Sequence, residues 1–400
     1  MASQSHSHEL HVGKFEASQT LKTVSFTCIG IGVLTFIVGL MKFPEQLWTS
    51  YLTSYFFYAS LGLGGMFFLG INYVTKAGWM VSLRRYVEAM TSFIPVILVG
   101  GLVLLLGLKK LYLWGDQATF NETELFHTKA AYLNPTFFAI RMIVFCAAML
   151  IFRKLLVGNS LKQDVDGKEI YTHQSVGTSI AFLLVFALGF SLFSVDLLMS
   201  LLPQWYSTIY GIYMFSGMFQ ATMAALVLLM IYVRRQGFVK GYVTDEHIHD
   251  VAKYMKAFTI FWAYIAFSQY MLIWYANIPE ETEFYLMRMS PGWLGISLFL
   301  LVFKFIVPFL ALLPRWAKRS EPNLILVSIL ILITQYVDIY WQVYPNFFDN
   351  HVTFGFMEVG LFLGFGGLFL LGVISFLSKN SLVPLKDPRL HEAVHHHVTY

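Results

Sequence analysis

The chain has 400 residues, of which 57% are hydrophobic and only 12% are charged. A soluble domain carries about 25% charged residues, so this composition excludes an ordinary soluble protein and favours an integral membrane protein. The net charge of +4 does not indicate nucleic-acid binding, because the basic residues lie at the ends of apolar segments, where they orient a protein in the bilayer.

About ten apolar segments are long enough to cross a membrane, which requires about 20 mostly apolar residues each. The predicted fold is therefore an all-α integral membrane protein. A polar stretch at residues 1–21 predicts a flexible N-terminal tail, and residues 379–400 predict a C-terminal tail. The predicted spans are residues 22–41, 49–75, 79–107, 133–156, 174–197, 206–234, 247–275, 292–314, 322–344 and 355–378.

The basic residues between the spans predict the orientation of the chain. Twenty lysine and arginine residues flank the spans on the side of the termini, and five lie on the opposite side. Because cytoplasmic loops carry the excess of lysine and arginine, both termini are predicted to be cytoplasmic. The loops are short, so any bulky catalytic module would belong to another chain.

Spans two to five and spans six to nine read as two copies of one four-helix unit. Asn134-Pro135 precedes the fourth span and Ser290-Pro291 the eighth, and proline suits the first turn of a helix. Asp196 ends the fifth span and Asp338 the ninth, each followed by proline seven positions later. The repeat predicts four membrane regions: an outer helix at 22–48, two four-helix bundles at 49–200 and 201–346, and a second outer helix at 347–378.

Ionisable side chains inside the spans form two predicted layers. An ionised group at mid-bilayer costs roughly 2.5–3.5 kcal/mol on insertion scales, so each needs a partner or a function. Arg141 is a candidate counter-ion for the repeated aspartates, Arg84 and Glu88 lie four residues apart on one helical face, and Lys304 sits mid-span with a stem long enough to reach towards the cytoplasm. The outer layer contains Arg141, Asp196, Asp338 and Glu358; the inner layer contains Arg84, Glu88, His247, Asp250 and Lys253.

These layers have two interpretations. They are either structural ion pairs that lock helices together, or parts of a proton path or of a polar wall around a quinone head group. Hydroxyl and amide side chains would extend such a path along the second and seventh spans: Tyr51, Ser54, Tyr55, Tyr58, Tyr264, Ser268, Gln269 and Tyr275. Two glycine-rich segments, 62–65 and 364–367, predict close helix contacts.

The sequence also argues against a bound redox metal. None of the twelve histidines lies in the interior of a predicted span, whereas a membrane haem protein needs histidines deep in its helices. The two cysteines, Cys28 and Cys146, each lie alone in an apolar span and have no metal-site spacing. We therefore expect no catalytic residue, no metal and no cofactor held by this chain itself.

Five segments carry a resemblance to a known family: residues 52–90, 127–141, 194–217, 245–282 and 303–319. The stretch FSQYMLIWYANIPEE within the fourth is the most specific. In these segments the chain resembles the NrfD-like, or polysulfide reductase C-like, membrane subunits, and is most similar to the ActF type of alternative complex III.

The resemblance implies a subunit of a bacterial inner-membrane complex of the respiratory chain, one that oxidises quinol or menaquinol and passes electrons to a cytochrome c or an oxidase. It implies partners that carry the redox centres: a sister NrfD-like subunit of the ActC type, an iron–sulphur subunit, and multihaem and monohaem cytochrome c subunits, with a terminal oxidase in some complexes. It also implies a candidate proton path through the polar layers. Two alternatives remain open: a secondary transporter with parallel repeats, and a purely structural membrane anchor.

Overall fold

The computed structural model describes residues 11–116, 120, 128–348 and 351–397. Within them, ten helices are long and apolar enough to cross a membrane, and each overlaps one predicted span. The prediction of an all-α, ten-span membrane protein is confirmed. Spans 1 to 10 are Gln19–Lys42, Pro44–Val74, Gly78–Leu111, Pro135–Asp166, Ile170–Leu201, Tyr210–Arg235, Asp245–Ala276, Leu294–Ala311, Glu321–Asn346 and Phe356–Lys379.

Two spans depart from a regular α-helix. Span 3 alternates 3₁₀ and α segments: Gly78–Leu83, Arg84–Met90, Thr91–Phe93, Ile94–Leu104, Leu105–Gly107 and Leu108–Leu111. Span 8 contains a π-helical segment, Leu301–Ile306, between the α segments Leu294–Leu300 and Val307–Ala311. Spans 5 and 9 close with 3₁₀ turns, and short helices lie between spans or after them: Leu113–Gly115, Pro279–Met289, Trp316–Lys318 and Leu390–Val394.

Span 4 shows how the sequence sets a helix boundary. The Asn134 side chain accepts a hydrogen bond from the Phe137 amide at 2.8 Å, and Pro135 occupies the first helical position, where a missing N–H is harmless. The helix ends at Gly167, whose φ of 72° suits glycine. It therefore runs ten residues beyond the predicted end at 156, because polarity alone does not break a helix.

Eight of the spans pack in two groups of four, and span 2, a member of the first group, lies at the centre of the array. Spans 2 to 5 contact one another, as do spans 6 to 9, and the two groups meet where spans 2 and 5 contact span 6 and where span 2 contacts span 9. Spans 1 and 10 pair with each other and lie against span 2. Span 2 is almost entirely buried, so the most shielded positions lie along it and its neighbours.

A seam of small residues joins spans 1 and 10, as the glycine-rich segment 364–367 predicts. A Cβ added to Gly32 would lie 2.4 Å from the Gly364 Cα, so the two backbones touch. Without a hydrophobic driving force between helices in lipid, such close packing supplies much of the attraction.

We expect Gly32→Ala to separate spans 1 and 10 and to lower stability by roughly 1–3 kcal/mol, the usual cost of overpacking. Gly30→Ala is the matched control, because a Cβ at Gly30 meets nothing within 4 Å. The measurement is thermal unfolding of both purified variants in detergent. Equal melting temperatures for the two variants would show that the seam contributes nothing.

Both terminal segments are fixed to the same end of the helical array, which we call the termini end. His11–Val12 pairs antiparallel with Val239–Lys240 between spans 6 and 7, and Phe15 is buried. Helix Leu390–Val394 packs against the start of span 3. The structure thus differs from the two predicted tails: the described residues 11–18 and 380–397 make tertiary contacts, because each carries apolar side chains that the bundle buries.

Candidate functional site

A fully buried ionic cluster lies inside the second four-helix group, around Asp338 of span 9. Lys304 Nζ lies 2.5 Å from Asp338 Oδ2, and both side chains are at most 1% exposed. Tyr213 donates to Oδ1 at 2.5 Å and Trp262 donates to Oδ2 at 3.1 Å. We call Asp338, Lys304, Tyr213 and Trp262 the Asp338 cluster. Lys304 therefore does not extend towards the cytoplasm, as its stem length allowed, because Asp338 holds it in the core.

Lys304 lies in the π-helical segment of span 8, four residues before Pro308. Proline has no N–H to donate to the carbonyl four residues earlier, so the helix cannot keep a regular α pattern here. The Gln220 side chain donates to the freed Lys304 carbonyl at 3.4 Å and to the Thr259 hydroxyl at 2.9 Å. Lys304 also donates to Gln335 at 2.6 Å. The irregular turn thus links the Asp338 cluster to polar groups on spans 6, 7 and 9.

The repeat-related aspartate of the first group has its own cation. Arg141 of span 4 holds Asp196 with two parallel bonds, from Nε to Oδ2 at 2.8 Å and from a terminal nitrogen to Oδ1 at 2.9 Å. Tyr132 donates to the same Oδ1 at 2.9 Å, and the guanidinium lies 3.8 Å from the centre of its ring. The predicted pairing of Arg141 with Asp196 is confirmed.

The two aspartates therefore have the same arrangement of bonding partners, as well as equivalent positions in the repeat. In each group the last span supplies the carboxylate, the preceding span supplies the cation, and a tyrosine donates to one carboxylate oxygen. They differ in depth of burial, since Arg141 keeps 12% of its side chain exposed whereas Lys304 keeps none. The second pair is thus the one shut off from its surroundings.

Among the described residues, Glu358, the fourth member of the predicted outer layer, accepts hydrogen bonds only from neutral donors. Ser50 donates to it at 2.8 Å, Tyr344 at 2.5 Å and Gln46 at 3.1 Å. The Gly355 amide donates at 2.7 Å, so Glu358 caps the first turn of its own helix, where the helix dipole favours a negative charge. This contact set explains its burial by a structural role and separates it from the two aspartates.

In the predicted inner layer, the pairing of Arg84 with Glu88 is wrong. Glu88 is bonded to Arg85, which also lies 2.5 Å from Asp164 and 3.1 Å from Ser160. Arg84 is bonded instead to Asp387, in the segment after span 10. Arg84 and Glu88 share one α-helical segment, Arg84–Met90, so helical spacing allows their pairing, but the Asp387 carboxylate takes Arg84 and Arg85 takes Glu88.

The rest of the inner layer meets at the start of span 7. Asp250 lies 2.6 Å from Lys253 Nζ and 2.6 Å from His396 Nε2, so the C-terminal segment completes this group. The His247 ring bonds to the Thr244 hydroxyl at 2.9 Å and caps the helix, and it lies 5.5 Å from the His396 ring. The Trp79 ring lies between the His396 ring and the ring of Tyr254, on which it stacks.

The predicted extension of a polar path along span 7 is wrong for two of its tyrosines. Tyr264 is 63% exposed and Tyr275 is 84% exposed on the apolar outer surface, whereas Gln269 is buried. On span 2, the hydroxyls of Tyr51 and Tyr55 donate to the backbone carbonyls of Gly100 and Ile97. These two tyrosines therefore fasten span 3 to span 2.

Sequence reasoning missed the residues that complete the clusters: Arg85, Asp164, Gln220, Gln335, Asp387 and His396. Pro308 was a usable signal for Gln220, since a freed carbonyl in a span needs a donor. Nothing in the local pattern marks Asp387 or His396, because both lie in a polar segment outside the spans.

Within the described part of the chain, no three histidine, cysteine, aspartate or glutamate side chains group as metal ligands would. The clusters instead combine carboxylates with basic side chains and with hydroxyl or amide donors, an arrangement that can hold and pass protons. Neither a protein-family model nor a curated protein sequence matches the chain.

Proposed function

We propose that the chain is a membrane subunit of a respiratory complex that oxidises quinol and transfers the electrons to a cytochrome c or an oxidase. In this role it scaffolds the quinol-oxidising module and conducts protons, while partner chains carry the iron–sulphur clusters and haems. The support comes from the resemblance to NrfD-like subunits of the ActF type and from the Asp338 cluster. A bacterial inner membrane with both termini in the cytoplasm completes the proposal.

The main support for proton conduction is the Lys304–Asp338 pair, which is fully buried and joined to a chain of neutral donors and acceptors. A charge in the bilayer core is expensive, but this pair has no net charge when both groups are ionised. A proton can therefore pass between Nζ and Oδ2 over 2.5 Å without moving net charge into the apolar core. Tyr213 and Gln335 extend the pair on either side.

A second group at the termini end, Asp250 with Lys253 and His396, would exchange protons with the aqueous phase. Thr259 lies nine positions after Asp250 on span 7, which is about 13 Å along the helix axis. The buried Met255 lies in this interval. Proton transfer between the two groups thus requires water to enter that stretch during turnover.

The geometry disfavours a transporter with parallel repeats. Such a protein is expected to interrupt corresponding helices in its two halves. The π segment lies in span 8, whose repeat counterpart is span 4, and span 4 is a continuous α-helix from Pro135 to Asp166.

The proposal is tested on the purified complex in proteoliposomes. We expect Asp250→Asn and Asp196→Asn each to slow quinol oxidation or proton release by roughly 10²-fold, the lower end of what a positioned proton-transfer group contributes. Asp166→Asn, at an exposed position, is the matched control. The complex should retain its haem absorbance and its subunits in all three variants.

Unchanged rates in both test variants would leave only the structural-anchor role. A different outcome is that the wild-type chain purifies as a stable monomer that lacks iron–sulphur and haem partners and transports a solute. That result would contradict the proposal that the chain belongs to a respiratory complex.

A further inference from the structure

A cavity of about 680 Å³ lies between spans 7 and 8 and is lined partly by helix Pro279–Met289 and by Tyr213 and Trp262 of the Asp338 cluster. Its volume is in the range typical of small-molecule sites. Most of its wall is apolar, and Phe267, Leu298 and Leu301 of that wall are also at least half exposed on the outer surface. The cavity therefore opens sideways, towards the region that lipid occupies.

The wall of this cavity contains a buried cation without an anion. Arg288 is fully buried and donates to three backbone carbonyls, those of Trp341 at 3.1 Å, Phe284 at 2.9 Å and Gln342 at 2.8 Å. Among the described residues, no carboxylate lies within salt-bridge distance of it. Burial lowers the pKa of Arg288 to about 9. Carbonyl dipoles do not cancel its charge, so an anion nearby would stabilise it.

A second polar group of the wall, the Gln269 amide, interacts with the Tyr285 hydroxyl but leaves its carbonyl oxygen unpaired. Gln269 is 2% exposed, and its Oε1 accepts no hydrogen bond from any described residue. A buried acceptor without a donor costs about 1–3 kcal/mol, so this oxygen favours a ligand that brings a hydroxyl or amine. The cavity thus presents a positive charge and a free acceptor at its polar end, and aliphatic and aromatic side chains towards lipid.

From this arrangement we infer that the cavity binds an anionic glycerophospholipid whose head group also carries hydroxyls, as phosphatidylglycerol does. The phosphate lies on the Arg288 side, a head-group hydroxyl donates to Gln269 Oε1, and the acyl chains follow Phe267, Leu298 and Leu301 outwards. Arginine is the residue best suited to phosphate. Three carbonyls and the rings of Phe284 and Trp341 stabilise Arg288, but a neutral quinone head group would add no negative charge to balance it. The inference stands independently of the proposed role in electron transfer.

The test uses the delipidated full-length protein, in the complex with which it purifies. Phosphatidylglycerol, phosphatidylcholine and inorganic phosphate are added separately, and binding is followed by thermal unfolding and by native mass spectrometry. We expect roughly tenfold tighter binding of phosphatidylglycerol than of phosphatidylcholine, equivalent to about 1.4 kcal/mol. Inorganic phosphate alone should have no effect.

Two variants and one control make the result specific. Arg288→Gln removes the charge, and Ala266→Trp fills the cavity without touching the Arg288 hydrogen bonds. Both should abolish the preference, whereas Ala187→Trp, on the exposed face of span 5, should retain it. Equal binding of the two lipids, stabilisation by inorganic phosphate alone, or displacement of the lipid by a quinone analogue at equal affinity would each overturn the inference.

Discussion

Replacing Lys304 with methionine is expected to destabilise the protein by about 3–5 kcal/mol, because the Asp338 carboxylate would remain buried without its cation. The remaining donors, Tyr213 and Trp262, are neutral and cannot replace the lost charge. Thermal or denaturant unfolding of the purified variant measures the change. The predicted loss is a large fraction of the 5–15 kcal/mol by which folded proteins are usually stable.

The double variant Lys304→Met with Asp338→Asn separates stability from function. The asparagine oxygen still accepts from Tyr213 or Trp262, and no charge is left unpaired, so most of the lost stability should return. If the pair relays protons, the double variant should fold and assemble yet release protons slowly. A double variant as unstable as Lys304→Met would contradict the ion-pair explanation, and one with normal proton release would contradict the relay.

The arginine that neutralises Glu88 can be identified by a double-mutant cycle. We expect Arg85→Met and Glu88→Gln to be coupled by about 2–3 kcal/mol, since both side chains are fully buried and bonded to each other. The cycle of Arg84→Met with Glu88→Gln is the matched control and should show little coupling, because Arg84 is bonded to Asp387. Unfolding free energies of the single and double variants supply both values.

The outcome that would contradict this assignment is strong coupling in the Arg84 cycle and weak coupling in the Arg85 cycle. That result would restore the pairing expected from helical spacing alone. A third cycle, of Arg84→Met with Asp387→Asn, should show coupling of similar size to the Arg85 cycle and would locate the second buried pair.

The number of spans was predictable because lipid imposes one strict requirement, a helix of about 20 apolar residues. The ends of the spans were less predictable than their number. Span 4 continues to Asp166 since only Gly167 provides a stop, and residues 11–18 and 380–397 pack on the bundle although their composition resembles that of a tail. Hydropathy measures how a residue partitions into lipid. It carries no information on contacts that residues make outside the membrane.

The candidate site was predictable at the level of residues but not of partners. The repeat singled out Asp196 and Asp338, and both prove to be held by a cation on the preceding span. Arg84 finds its partner 303 residues away, and Asp250 finds His396 at a separation of 146. Pairings across such distances depend on how helices meet, whereas spacing rules describe neighbours on one helix.

The position of Asp387 and His396 has a consequence for how the protein is made. Both residues follow the last described span, so the ribosome adds them only after the segments that contain Arg84 and Asp250 have been synthesised. Until then Arg84 lacks the Asp387 carboxylate, and Asp250 lacks His396. These two contacts therefore form only after the segment that follows span 10 has been synthesised, and they join the last part of the chain to helices made much earlier.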